Sequence, residues 1–323
     1  MYIEEIHIEC LEKLNTASVF NSKAWIAISL DENYHLMGIY NKNKELIGSF
    51  YYYEFQRAKV LTQISAPPFS PNCGLFVKDN TINPAQKNTF RKKVLALVRD
   101  YFEEQKFDIF SLPFPQEYVD MQEFIWKGYS VQPRYTYQLN LSEFKEDLLA
   151  KMSSERRKNI KKAEKDGIIA KKESNFNKAK ELIYGTYSKQ NIEVNTQVLD
   201  SVFGSFATEE NSICYVSYNK EGKAISTVFC VYDKEVCYYI LGGYNSEERH
   251  EGAGALAMWS AIKMAQEKGV KTFDFEGSML PAVEKYFRGF GGKMIPFYSV
   301  NKNKWKGNLF LKARNLISKK TIK

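Results

Sequence analysis

The chain has 323 residues, 44% apolar and 26% charged, enough for one large or two ordinary domains with sizeable cores. It has no apolar run of about 18 residues, so no transmembrane span is expected. The acidic start MYIEEIHIECLEKLN lacks the basic and apolar regions of a secretory leader, so no signal peptide is expected, and the scattered cysteines described below fit a cytoplasmic protein. Residues 1–135 hold 15 Lys and Arg against 16 Asp and Glu, whereas residues 136–323 hold 31 against 22. The second half is therefore expected to meet an anion: a phosphorylated cofactor, RNA or an anionic membrane surface.

Five scattered cysteines (Cys10, Cys73, Cys214, Cys230, Cys237) include no C-x-x-C pair and read as reduced, buried thiols. The histidines His7, His35 and His250 form no ligand cluster, so no metal site is expected.

In chain order, the runs 24–30, 34–40 and 46–53 are aromatic or β-branched and separated by polar turns, which predicts an antiparallel meander. A strand at 60–64 follows, then the proline-broken loop APPFSPNCG. Apolar positions Phe90, Val94, Leu97, Val98, Tyr101 and Phe102 have helical period and predict a helix over 84–105. A strand at 108–112, a helix at 116–126 and a strand at 129–141 close the first half. The second half opens with a helix at 143–152, capped by Ser142 with Phe144, Leu148 and Met152 inward. The basic helix SSERRKNIKKAEKDG comes next, then a strand (168–172) and helices near 176–190 and 196–206. A meander recurs at 213–219, 224–232 and 235–241. A glycine-containing loop, a helix (253–268), a strand (271–275), a short helix (281–287) and a strand (294–300) complete the pattern. The order meander, helix, strand thus occurs twice, which predicts two copies of one α/β unit.

Arg249-His250-Glu251-Gly252-Ala253-Gly254-Ala255 precedes the second-half helix. Glycines at a helix start bring a ligand close to the backbone, where first-turn N–H groups and the helix dipole favour phosphate. A plain glycine turn gives the same pattern, so the neighbouring segments decide between the two.

Arg249-x-x-Gly252-x-Gly254 resembles the (Q/R)-x-x-G-x-(G/A) signature of the GNAT N-acyltransferases. Ser154–Gly167, Phe273-Asp274-Phe275-Glu276-Gly277-Ser278 and Phe287-Arg288-Gly289-Phe290-Gly291-Gly292 resemble three successive segments of the Fem-type transferases. Those are tandem-GNAT enzymes that build peptidoglycan cross-bridges. The likeness covers residues 136–300 and thins over 1–135, where Ala66-Pro67-Pro68-Phe69 is the best echo. Two departures stand out. Arg288 occupies the place of a family lysine, and residues 167–212 leave no room for a tRNA-binding coiled-coil arm.

The resemblance implies an α/β (α+β) chain of two tandem GNAT-like domains, each a mixed, mainly antiparallel sheet flanked by helices. The first, 1–135, would have a degenerate donor loop and the second, 136–300, the donor-binding loop. A basic amphipathic helix would occupy 301–323. It also implies that Gly252, Ala253, Gly254 and Ala255 grip the donor phosphates. Arg249 covers them or is solvated, and Lys285 and Arg288 contact them. Asp274 and Glu276 alternate with Phe273 and Phe275, so both carboxylates share one face of a strand end. Glu276 is the preferred base or acceptor anchor, Tyr244 an acceptor or leaving-group contact, and Asp274 a structural acceptor. His250 reads as a base or as a surface-loop residue. Arg156, Arg157, Lys158, Lys161, Lys162 and Lys165 form a solvated basic face or contact phosphates.

The tail 302–323 carries eight Lys and Arg and no acid, with Trp305, Leu309, Ala313, Leu316 and Ile317 at helical spacing. It either docks on the body or rests on anionic lipid at the inner membrane face. Three functional readings follow. The first is N-acyl transfer from acyl-CoA to a small-molecule or cell-wall-precursor amine held in an interdomain cleft. The second is aminoacyl-tRNA-dependent transfer to a peptidoglycan precursor. The third is a non-catalytic RNA- or membrane-binding protein on a GNAT scaffold.

Overall fold

The computed structural model describes residues 1–16, 18–190 and 194–320, with side chains of the last helix described as far as Arg314. In chain order the elements are β1 (Tyr2–Glu5), α1 (Lys23–Ala27), β2 (Tyr34–Tyr40), β3 (Leu46–Arg57), β4 (Leu61–Ser65), β5 (Phe76–Val77), α2 (Pro84–Glu104), β6 (Ile109–Pro113), α3 (Gln122–Ile125) and β7 (Ser130–Asn140). Then come α4 (Lys145–Lys151), α5 (Ser154–Lys165), β8 (Ile169–Lys172), α6 (Asn177–Lys189), α7 (Thr196–Ser201), β9 (Ser212–Tyr218), β10 (Ala224–Tyr232), β11 (Val236–Tyr244), α8 (Ala253–Glu267), β12 (Thr272–Asp274), α9 (Pro281–Arg288), β13 (Lys293–Asn303) and α10 (Trp305–Lys320).

The chain divides into two compact units. The first comprises Met1–Thr16, Phe20–Arg134 and the segment from Pro296 onward; the second comprises Tyr135–Ile295 and the short stretch ending at Val19. In the first unit β3 pairs antiparallel with β4, α2 crosses over, and β6 returns parallel to β4 with β13 antiparallel beyond it. In the second, β10 pairs antiparallel with β11, α8 crosses over, and β12 returns parallel to β11 with β7 antiparallel beyond it. The same mixed sheet with flanking helices is thus built twice.

Burial explains why these elements form. In the first unit Val94, Val98 and Phe102 of α2 meet Phe50, Tyr52, Ile64, Phe110 and Leu112 of the sheet. Asn83 caps α2 by accepting from Ala85 N and Gln86 N, and Pro84 sits in the first turn, where a missing N–H costs nothing. In the second unit α8 is buried on nearly all sides: Leu256, Met258, Trp259 and Ile262 pack with Val228, Phe273 and Phe275.

Four expectations are corrected. Residues 24–30 are not a strand; Ser22 accepts from Trp25 N and starts a short helix that buries Trp25 and Ile26. A capping side chain here overrides β-propensity. Only Gln122–Ile125 of the segment 116–126 is helical. Phe144, expected inward, is 80% exposed and is itself the N-cap residue of α4, so Ser142 does not cap it. Arg156 does not belong to the solvated face of α5. It is buried, with its guanidinium 4.2 Å from the Tyr286 ring centroid and 5.1 Å from that of Phe290. Among the described residues no helix is long and apolar enough to cross a membrane.

Candidate active site

The pairing of β11 with β12 lasts three residues, Val236–Tyr238 against Thr272–Asp274. β11 then continues to Tyr244 paired with β10 only, while the other strand turns away through Glu276 (φ 56°) and Gly277 (φ 68°). The fork opens a cavity of about 900 Å³, within the size range of small-ligand sites. Tyr239, Gly242 and Tyr244 form one wall, Phe275–Ser278 another, and Tyr286, Gly254 and Ser226 contribute from α9, α8 and β10.

Two acidic residues stand at the fork. Asp274 is fully buried and accepts from Thr136 Oγ1 (2.5 Å), Gln138 Nε2 (2.7 Å) and Glu276 N (2.8 Å). Its role is to fasten the chain as it leaves β12. Glu276 reaches the cavity from a left-handed backbone conformation, which is costly for a residue with a Cβ and persists only where the surroundings enforce it. Gly277 follows because a Cβ there would lie 1.9 Å from Tyr135 O. Burial, and secondarily the Asp274 charge, push the Glu276 carboxyl well above the usual carboxylate range. A carboxylate so placed is a stronger base than an exposed one.

The start of α8 supplies the other pole. No side chain caps it, and its N-cap is Gly252. Gly252 itself does not line the cavity. A Cβ there would lie 2.1 Å from Asn159 O, so this glycine allows α5 and α8 to approach. Gly254, one turn position on, does line the cavity, and a Cβ there would meet only Tyr286 Oη at 3.5 Å. Ala253 and Ala255 are buried in the core, which leaves them only backbone groups to offer a ligand. Arg249 lies over the Tyr244 ring at 5.2 Å, and both residues line the cavity. His250 uses both ring nitrogens structurally: Nδ1 accepts from Gly252 N at 3.1 Å, and Nε2 faces Asp166 Oδ2 at 3.2 Å. This arrangement disfavours a role as free base.

Lys285 and Arg288 do not line the cavity. Lys285 lies 3.4 Å from Glu155 on the surface, and Arg288 donates to Glu284 at 2.9 Å. No cysteine lines the cavity, and burial pushes the Cys214 thiol up to about 12.

Lining residues that no sequence motif marks include Thr186, Ser226, Tyr239 and Tyr286. Thr186 Oγ1 accepts from Tyr244 N at 2.8 Å and so holds the end of β11. Ser226 is 5% exposed, and its Oγ has no hydrogen-bond partner. Burial pushes the Tyr286 hydroxyl up to about 12. Of the four, Ser226 left the plainest trace, as a polar position inside the apolar run AISTVFCVY.

In the second unit the parallel pair of a mixed sheet thus forks beside a helix start that no side chain caps, and the mixed sheet itself occurs in both units. Residues 150–288 match the family described as acetyltransferase (GNAT) domain. FemX resembles the chain at 12% identity over 96% of this chain and 99% of its own, with a TM-score of 0.65. The C-terminal domain of a putative lysylphosphatidylglycerol synthetase from Agrobacterium fabrum does so at 12% identity over 96% of each chain, TM-score 0.57. A tandem GNAT protein from the clavulanic acid biosynthesis pathway does so at 8% identity over 93% of this chain and 98% of its own, TM-score 0.55. At such identities the likeness is one of fold: Fem-like, tandem GNAT. No curated protein matches the chain.

Proposed function

We propose that the second unit transfers an acyl group from acyl-CoA to an amine held beside Glu276. The observation that carries this reading is the fork of β11 and β12, with Glu276 on one side and the uncapped start of α8 on the other. First-turn N–H groups of α8, reached past Gly254, suit the donor's phosphates, and Arg249 adds charge at the cavity edge. The unpaired part of β11 suits an extended, amide-containing donor arm, which would satisfy the backbone groups that β12 leaves. Ser226 Oγ offers a further hydrogen bond there.

In the reaction the neutral amine attacks the thioester carbonyl, a C–N bond forms and the C–S bond breaks. The proton leaving nitrogen passes to the Glu276 carboxylate, and the sulfur departs as thiolate and takes up a proton. No covalent enzyme intermediate is needed.

The alternative donor is an aminoacyl-tRNA, with a cell-wall or lipid acceptor. The exposed Lys158, Lys161 and Lys165 of α5 favour it by offering a basic surface. Thermal unfolding separates the two donors. A midpoint that rises with CoA supports the first reading. No rise with CoA, together with tRNA binding that survives physiological salt, contradicts it, because nonspecific polyanion contact fades steeply with salt.

A further inference from the structure

The last described helix, α10, docks on the first unit by a face other than its apolar stripe. Gly307 is buried against β6, where a Cβ would lie 2.3 Å from Asp108 O. Phe310 on the same side lies under the Arg57 guanidinium at 5.9 Å. Lys304 N donates to Asp108 O at 2.9 Å and fixes the entry of the helix. With 3.6 residues per turn, Trp305, Leu309, Lys312 and Ala313 then fall on the opposite side. Trp305 is 71% exposed and Leu309 64% exposed, and Lys306, Lys312, Ala313 and Arg314 are exposed as well. Leu316 and Ile317, the remaining members of the sequence stripe, lie outside the described side chains.

We propose that this outward face of α10 is a docking surface for an anionic lipid bilayer. Two independent features select a bilayer. Trp305 and Leu309 sit one turn apart, and a tryptophan flanked by lysines suits the boundary between headgroups and acyl chains. The segment 302–323 carries eight Lys and Arg and no Asp or Glu, so an acidic protein surface is not needed to hold it in place and an anionic one attracts it. Among the described residues of this segment, Lys302 pairs with Glu103 at 2.7 Å. Lys306 lies 5.8 Å from the Trp305 ring and extends its charge alongside the apolar patch. This surface is formed by residues of the first unit and the cavity by residues of the second, so the proposal does not depend on the donor assignment.

Vesicle co-sedimentation of the full chain tests it, with phosphatidylcholine vesicles and with vesicles that also contain phosphatidylglycerol. The wild type is expected to pellet with the anionic vesicles only. The W305S/L309S and K306Q/K312Q variants, both altered only at exposed positions, are each expected to lose partitioning by about tenfold or more while keeping the wild-type circular dichroism. The idea is overturned if the wild type stays in solution with both vesicles. It is equally overturned if W305S/L309S pellets as the wild type does, which would mean charge attraction without an apolar contact. A wild-type dimer that W305S/L309S dissociates, with no lipid binding, would assign the face to a second copy and overturn it too.

Discussion

Asp274 accepts the backbone N–H of Glu276 at 2.8 Å, and the two carboxylates thereby take different tasks. Asp274 is closed off by Thr136 and Gln138. Of the two, Glu276 is left facing the cavity. Glu276→Gln is therefore expected to lower kcat by about 100-fold or more with a smaller change in KM. The pH–rate profile reports the mechanism. In the wild type the acidic limb should lie above the usual carboxylate range, and Glu276→Gln should remove that limb. An unchanged limb would exclude Glu276 as the proton acceptor.

The same carboxyl should mark the stability curve. Its folded pKa is raised above the ordinary value of 4.5, so the folded state binds this proton more tightly than the unfolded state. Between the unfolded and folded pKa values the unfolded state holds less of the proton, and stability falls as pH rises. Above the usual carboxylate range Glu276→Gln should therefore be more stable than the wild type, and below it the difference should vanish. Urea unfolding at several pH values measures this. A variant less stable at neutral pH would contradict the burial argument.

The two glycines at the start of α8 should respond differently to alanine. Gly252→Ala pushes a Cβ against Asn159 O and forces α5 from α8, at a cost of about 1–3 kcal/mol. Gly254→Ala meets open cavity in the first turn of α8 and should be neutral or stabilising by up to about 1 kcal/mol. Urea midpoints of the two variants should separate in that order.

Arg156 holds α9 through ring faces. Its guanidinium stacks on Tyr286, and a Cβ at Gly289 would already be 3.3 Å from its Nε. Arg156→Lys keeps the charge but loses the planar stack, worth about 2 kcal/mol when desolvated. Hydrogen exchange should quicken over 281–291 and stay unchanged in the first unit. Uniform quickening would mean a global effect instead.

Elements set by strong periodicity were legible: α2, α8, the second meander, and β2 and β3 of the first follow from apolar spacing in the chain. The failures have local causes. The Ser22 cap turned an apolar run into α1, and Phe144 took the N-cap position where inward packing was expected. Glu276 and Tyr244, both singled out in the sequence, line one cavity. The division of labour between Gly252 and Gly254 was not legible, because it depends on where α5 passes. Lys285 and Arg288 were expected at the donor from the resemblance, but α9 turns them toward Glu155 and Glu284. Ser226, Tyr239 and Tyr286 converge only through the sheet and could not be joined by spacing.

Isothermal titration of CoA into the wild type and into Gly254→Asp tests the central claim most directly. Aspartate in the first turn of α8 favours the helix, yet places a carboxylate where the donor's phosphates are proposed to sit. The account predicts one CoA per chain for the wild type and an affinity at least about tenfold weaker for the variant, a difference of about 1.4 kcal/mol. No heat from CoA at millimolar concentration, or equal affinity in a folded Gly254→Asp variant, would contradict it.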